Sequence, residues 1–297
     1  MSLAFEKTLE NRLQSIHHAN IREVLHWAVM PPGKLFRPRL VEALGKDLHV
    51  SNDNLLHLGV ALELHHAYSL VHDDMPCMDN DLIRRSKPTT HKQFGEWRAL
   101  LAGDILLAMS YAELEKINHP QAAFIRRLFH WATGAKGLIL GQWIDLGLEG
   151  VNSPSTLLRM HELKTARLMQ VAVLGVEALQ GHLTTTTAKK SMRLGMEIGL
   201  AFQLLDDLDD LTATELSAHE QQVNPFLLAS EEMTSKLEQI LNSLQASLNS
   251  LPATRTFLQA FLRQTALGLL ARKSALQQRL PKVSSRLEML LTSGVFA

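Results

Sequence analysis

Carboxylates and guanidinium groups crowd into residues 66–91, HAYSLVHDDMPCMDNDLIRRSKPTTH. Aspartates at this density repel one another unless opposite charge sits among them. Hard divalent cations such as Mg²⁺ take carboxylate oxygens together with substrate phosphates. Arg84 and Arg85 add anion-binding forks a few positions on. The simplest joint reading is a metal-bridged diphosphate site.

Around that stretch lie further candidates. GKLFRPR at 33–39 puts three cations at a loop-to-helix junction, where free backbone N–H groups favour an anion. A basic first turn followed by an early helical proline gives the same residues. At about 100° per residue, His66 falls roughly 20° from Asp73 on one helix face, with Ser69 and Leu70 beside it. A satisfied core histidine is the competing account. Asp73 and Asp79 would stand about 120° apart on a straight helix, but Pro76 between them opposes one. The expectation is a helix end or bulge turning both carboxylates to one cavity. Arg84 and Arg85 are expected on a loop, pointing in different directions, with surface salt bridges as the alternative. Gln142 and Asp145 share a helix face, and Lys164 with Thr165 interrupts an otherwise apolar helix. A buried lysine and threonine need partners; a snorkelling lysine is the plainer reading. In FQLLDDLDD at 202–210, Asp206, Asp210, Gln203 and Asp207 fill one polar arc within about 100°. Carboxylates at a helix C-terminus oppose the helix dipole, so a cation is expected there.

The elements that must position these groups are helices. Apolar residues recur at spacings of three and four over 5–30, 54–72, 97–116, 121–147, 154–180, 190–211 and 232–269. Strand signals are nearly absent. The expected fold is all-α, a single large helical bundle with its cavity between helices. Breaks are expected at 31–33, 49–53, Pro76, 87–88, 119–120, 150–154, 181–187 and 213–225. None reads as an interdomain linker, so one domain over 1–297 is expected. The 297 residues are 46% hydrophobic, ample for a core, with 30 acidic and 30 basic residues. That balance argues against nucleic acid or an anionic membrane surface as the main partner. The lone Cys77, the absence of an apolar leader in MSLAFEKTLENRL and of any run of roughly 18–20 apolar residues predict a cytoplasmic chain with no membrane span.

Taken in order, the motifs resemble those of the trans-polyprenyl diphosphate synthases, especially the bacterial farnesyl diphosphate synthases. GKLFRP is similar to GKxxRP, HDDMPCMD carries the DDxxxxD spacing, and RRSKPTTH resembles RRGxPTxH. GQWIDL, HELKTARL and FQLLDDLDD resemble GQxxDL, HxxKTGxL and FQxxDDxLD, with weaker similarity through NPFLLAS at 224–230. The resemblance implies the isoprenoid synthase fold and condensation of isopentenyl diphosphate with dimethylallyl and geranyl diphosphate to farnesyl diphosphate, C15. It implies Asp73 and Asp79 as ligands of two Mg²⁺ ions and Asp206 of a third, with Mn²⁺ as the alternative ion and Asp74, Asp207 and Asp210 as supporting acids. Arg84 and Lys164 would hold the allylic diphosphate; Lys34, Arg37, His66 and Arg85 match the isopentenyl diphosphate set. Lys164, Thr165 and Gln203 match the catalytic group lining the cation. Tyr68, Ser69 and the Pro76-Cys77 insertion are the implied chain-length determinants, and a homodimer is implied.

The pattern departs from the family in three places. The segment 211–224 has neither lysine nor glycine where a lysine-containing loop is usual, Ala166 replaces a glycine, and 274–297 reads as a C-terminal extension beyond Arg272-Lys273. A weakly active or regulatory homologue and a C10 or C20 synthase are therefore the alternatives. A terpene cyclase would not need the second cationic set, and a helical interaction protein would not need the ordered polar clusters.

Overall fold

The computed structural model describes residues 2–147, 153–216 and 218–293. Helix dominates as expected; the one strand pairing among the described residues is a ladder of two residues a side. The chain divides into two compact units, residues 1–127 with 175–182 and residues 128–174 with 183–297.

The first unit holds α1 (Ser2–Gln14), α2 (Ala19–Val29), α3 (Phe36–Asp47), α4 (Asn52–Asp73), the strands β1 (Ile83–Arg84) and β2 (Lys87–Pro88), α5 (Thr90–Phe94) and α6 (Glu96–Leu114). α4 is apolar on nearly every side, with Leu55, Leu58, Leu62, Leu64, Tyr68 and Val71 all buried. Such a helix must be enclosed by others. α1, α2 and α6 supply the enclosure, through Phe5, Leu9, Leu25, Ala102 and Leu106 among others. Glu113 ties the same helices together. Its carboxylate accepts from Arg12 of α1 at 2.9 and 3.0 Å and from Lys116 at 2.6 Å, and stands 2.7 Å from His57 of α4. Burial alone would raise its pKa, but these partners bring it down to about 2.

α7 (Ala122–Thr133) begins in the first unit and ends in the second. There follow α8 (Leu138–Gly147), α9 (Pro154–His161), a π-helical turn (Glu162–Ala166) and α10 (Arg167–Leu179), whose residues from Gly175 belong to the first unit. α11 (Thr185–Asp210), α12 (Ala218–Val223), α13 (Pro225–Ser247), α14 (Pro252–Ala271), α15 (Lys273–Arg279) and α16 (Ser284–Leu291) complete the second. Serine and threonine capping boxes start α9 at Ser153 and α11 at Thr184.

Three expected helices are divided. The stretch 5–30 breaks after Gln14, where the Ser15 hydroxyl takes the Arg12 carbonyl and His18 caps α2. The stretch 121–147 breaks at 134–137, where two glycines each cost about 1 kcal/mol of helix propensity. The stretch 232–269 starts earlier, at the Asn224 cap, and breaks before Pro252, which opens α14. The expected loop over 213–225 contains α12, and the expected break at 150–154 lies largely outside the described residues. The C-terminal extension is folded as far as Ser293, burying Leu276, Leu280, Val283, Leu287 and Leu291.

Candidate active site

α4 ends at Asp73 because Pro76 cannot continue it. The chain then curls back: Met75 N–H donates to His72 O at 3.1 Å, and Asp79 N–H to Asp73 O at 2.9 Å. The expected bulge is therefore present, and it brings the Asp79 backbone to that of Asp73. Asp79 is exposed and Asp73 half-buried. Asp74 is buried, and Arg84 Nε donates to its Oδ1 at 2.6 Å. Burial raises its pKa to about 6 against the pull of Arg84.

Arg84 and Arg85 stand on the β1–β2 hairpin rather than on an irregular loop. Arg85 and Ser86 form its turn, with φ of 52° and 61°. Two-residue hairpin turns ask for positive φ at both positions, commonly met by Asn-Gly; here a serine and an arginine carry that strain. The two guanidinium groups diverge as expected. Arg84 also reaches Asp81 at 2.8 Å, whereas Arg85 donates to Pro31 O at 3.2 Å. Lys87 fastens the hairpin to the end of α2 by donating to the carbonyls of Met30, at 2.8 Å, and Trp27.

α3 begins after Leu35, itself left-handed at φ 49°. Lys34 is exposed, while Arg37 is buried with its Nε lacking a hydrogen-bond partner. Facing Arg37 on α4 is Glu63, a buried carboxylate one turn before His66. Burial raises the Glu63 pKa, opposed by Arg37 and Arg85. His66, half-buried, is held well below the usual histidine range by burial and by Arg37, Arg85 and Arg84. It is therefore a neutral imidazole in a cationic neighbourhood. Glu63 escaped the sequence reading, although a glutamate three residues before His66 in an apolar helix was its signal. Tyr68 lies in the core of this unit, its ring edge-on to His65 at 4.6 Å and to His72 at 5.5 Å. Burial pushes its hydroxyl up to about 12. Ser69 is buried and donates to His66 O at 2.9 Å.

In the second unit the π turn carries Lys164 and Thr165. Both find the partners that their burial demands. Lys164 Nζ donates to Asp145 Oδ2 at 2.5 Å, and Thr165 Oγ1 to Gln203 Oε1 at 2.8 Å. Gly141 lets α8 approach this turn, since a Cβ there would sit 2.5 Å from Lys164 N. Gln142 is buried with neither amide atom hydrogen-bonded. The polar arc of α11 is split: Asp206 is exposed, Asp209 and Asp210 half-buried, and Asp207 buried. Asp207 Oδ1 accepts from Gln203 Nε2 at 3.1 Å, and its Oδ2 stands 3.2 Å from His161 Nε2. Burial disfavours protonating His161, but Asp207 outweighs it and raises the pKa. His161 was not singled out in the sequence, although it opens HELKTARL. At the end of α11, Arg272 pairs with Asp209, and Arg279 donates to Leu211 O at 2.7 Å. The chain thus sets two arginines at this helix end, Arg272 on an aspartate outside the expected arc and Arg279 on a main-chain carbonyl, alongside the lysine-free segment.

Among the described residues no three His, Cys, Asp or Glu side chains converge as a metal cage. Mg²⁺ does not need one, because it keeps waters and binds through one or two carboxylates plus substrate phosphates. Asp73, Asp79 and Asp206, open to solvent in whole or part, fit that chemistry; the buried Asp74 and Asp207 do not.

The profile of the polyprenyl synthetase family matches residues 18–224. The chain belongs to the polyprenyl synthetase family. Among its relatives, the farnesyl diphosphate synthase of Haemophilus influenzae is 33% identical over 282 residues, covering 90% of this chain and 94% of that one. The chloroplastic geranylgeranyl pyrophosphate synthase of Capsicum annuum is 36% identical over 200 residues, covering 65% and 53%. The geranyltransferase of Helicobacter pylori, solved in complex with magnesium and isoprenyl diphosphate, superposes with a TM-score of 0.72 at 27% identity, covering 89% of this chain and 96% of that one. The fold is accordingly the all-α isoprenoid synthase fold, and the chain is a member of the short-chain trans-prenyl diphosphate synthases. No helix among the described residues is long and apolar enough to cross a membrane.

Proposed function

We propose that this polyprenyl synthetase condenses isopentenyl diphosphate with dimethylallyl and then geranyl diphosphate, giving farnesyl diphosphate. The observation that carries this reading is that the first unit bears two polar groups of different character. One is the aspartate curl of Asp73 and Asp79; the other is the cationic group of Arg37, Arg85 and the neutral His66 around Glu63. A chain that only ionised one diphosphate would need no second cationic group.

In this reading Asp73, Asp79 and Asp206 hold Mg²⁺, three ions in all, with Mn²⁺ as the alternative. Bound magnesium neutralises charge on the leaving diphosphate. Arg84 and Lys164 bind allylic diphosphate, Lys164 being oriented by Asp145. Lys34, Arg37, His66 and Arg85 bind isopentenyl diphosphate, with Glu63 between two of the guanidinium groups. As the allylic C–O bond ionises, the oxygens of Thr165 and Gln203 face the positive charge. The isopentenyl double bond attacks C1, and the departing diphosphate removes the proton, since no side chain stands out as the base. Water must be kept out, or the cation becomes an alcohol. Tyr68, with Ser69, limits chain length. The whole chain, 1–297, works as one polyprenyl synthase domain, and the active form is a cytoplasmic homodimer.

The second reading is a C20 product, favoured by the similarity to a geranylgeranyl pyrophosphate synthase. Pyrophosphate release from geranyl and isopentenyl diphosphates tests the activity itself. Release should require both substrates and Mg²⁺, and Asp73→Asn and Asp206→Asn should each slow it on the order of 100-fold. Release from geranyl diphosphate alone, or none at all, would overturn the proposal.

A further inference from the structure

Asp207 sits inside an aspartate cluster without sharing its exposure. Only 5% of it is accessible, as with His161. Its main chain is also pinned, because Asn224, the cap of α13, donates Nδ2–H to Asp207 O at 2.8 Å. Gln203 turns its amino group to Asp207, donating Nε2–H to Oδ1 at 3.1 Å. The Gln203 carbonyl oxygen is thereby turned to Thr165, whose hydroxyl donates to it at 2.8 Å. The Gln203 amino group is turned to Asp207 with one of its two N–H bonds committed there, and the Thr165 proton is committed to Gln203, so lone pairs remain on both oxygens of the pair.

We propose that Asp207, anchored by His161, is a positioning residue that sets the polarity of the Gln203–Thr165 pair, so that oxygens rather than N–H and O–H hydrogens face a developing allylic cation. The inference rests on the reading of Thr165 and Gln203 given above, and it takes Asp207 out of the metal-holding role of its neighbours. A reversed Gln203 amide would present hydrogens to positive charge and would release the Thr165 proton to do the same. The side chain of Asp207 thus acts on the reaction through Gln203 without touching substrate.

The test is steady-state elongation of geranyl diphosphate by the wild-type chain, Asp207→Asn, Gln203→Leu and the double variant. Asparagine can donate to Gln203 Oε1 and so permits the reversal. Asp207→Asn should lower kcat on the order of 10- to 100-fold. The KM of both diphosphates and the half-saturating Mg²⁺ concentration should stay within about twofold. The double variant should be no slower than Gln203→Leu alone, because residues acting through one another are not additive. His161→Leu, which removes the ring nitrogen 3.2 Å from Asp207 Oδ2, should show the same signature and His161→Gln, which restores a polar group there, should recover most of the rate; this pair decides the matter if Asp207→Asn folds poorly. A raised Mg²⁺ requirement, or losses that multiply in the double variant, would overturn the positioning role while leaving the activity intact. A wild-type chain that makes no product would instead overturn the functional reading, and the proposal with it.

Discussion

Replacing Gly199 with alanine probes the contact that holds the second unit's polar pair in register. An ideal Cβ on Gly199 would lie 2.4 Å from Ala166 Cα and 2.5 Å from Ala166 Cβ. Carbon atoms pack at about 3.5 Å or more, so α11 must retreat from the π turn by roughly 1 Å. Gln203 lies one helical turn beyond Gly199 and Thr165 next to Ala166. The same retreat stretches their 2.8 Å hydrogen bond beyond bonding range. Overpacking costs about 1–3 kcal/mol and the lost hydrogen bond about 1 kcal/mol, offset by about 1 kcal/mol of helix propensity. The net expectation is about 1–3 kcal/mol of destabilisation by urea unfolding. Turnover should suffer more, on the order of 100-fold, because a misplacement of about 1 Å can cost that much. Gly268→Ala on α14 is the control, its nearest neighbour being the flexible end of Arg272 at 3.4 Å; it should be neutral or slightly stabilising. A Gly199→Ala chain as stable and as active as wild type would refute the direct backing of α11 on the π turn.

Three further outcomes are expected. Tyr68→Ala should destabilise the chain by about 3–5 kcal/mol, as loss of a buried aromatic does, and should shift product to longer chains; unchanged C15 chromatograms would remove Tyr68 as the floor. Glu113 has a folded pKa of about 2 against an ordinary 4.5, so its contribution is full above about pH 4.5 and fades as pH falls toward 2. That contribution is on the order of 2–3 kcal/mol once the partial exposure of Arg12 and Lys116 is discounted, so the wild-type advantage over Glu113→Gln in urea unfolding should shrink across that window; an advantage constant with pH would contradict the assignment. Truncation after Arg272 removes α15 and α16 with their buried leucines and should lower the thermal midpoint by more than about 5 °C, whereas an unchanged midpoint would make the C-terminus a dispensable tail.

Much of this was legible in the sequence because its signals are local. Threefold and fourfold apolar spacing marks α4, α6 and α11, and Pro76 announces the turn that returns Asp79 to Asp73. What escaped depends on partners far along the chain or on geometry that leaves no periodic trace. The π turn at Glu162–Ala166 keeps the apolar pattern on either side, so the register change beneath Lys164 and Thr165 is silent. Equal aspartates in DDLDD fall to opposite fates because His161 lies 46 positions before Asp207. Likewise the end of α11 meets Arg272, just past α14, and Arg279, from the stretch that read as an extension.

The most direct measurement is the chain length of the product made from isopentenyl diphosphate with dimethylallyl or geranyl diphosphate in the presence of Mg²⁺. A dominant C15 product from both allylic substrates is predicted, with none when Mg²⁺ is withheld. A C10 or C20 end point would contradict the farnesyl assignment, and no elongation by the folded chain would contradict the enzymatic one.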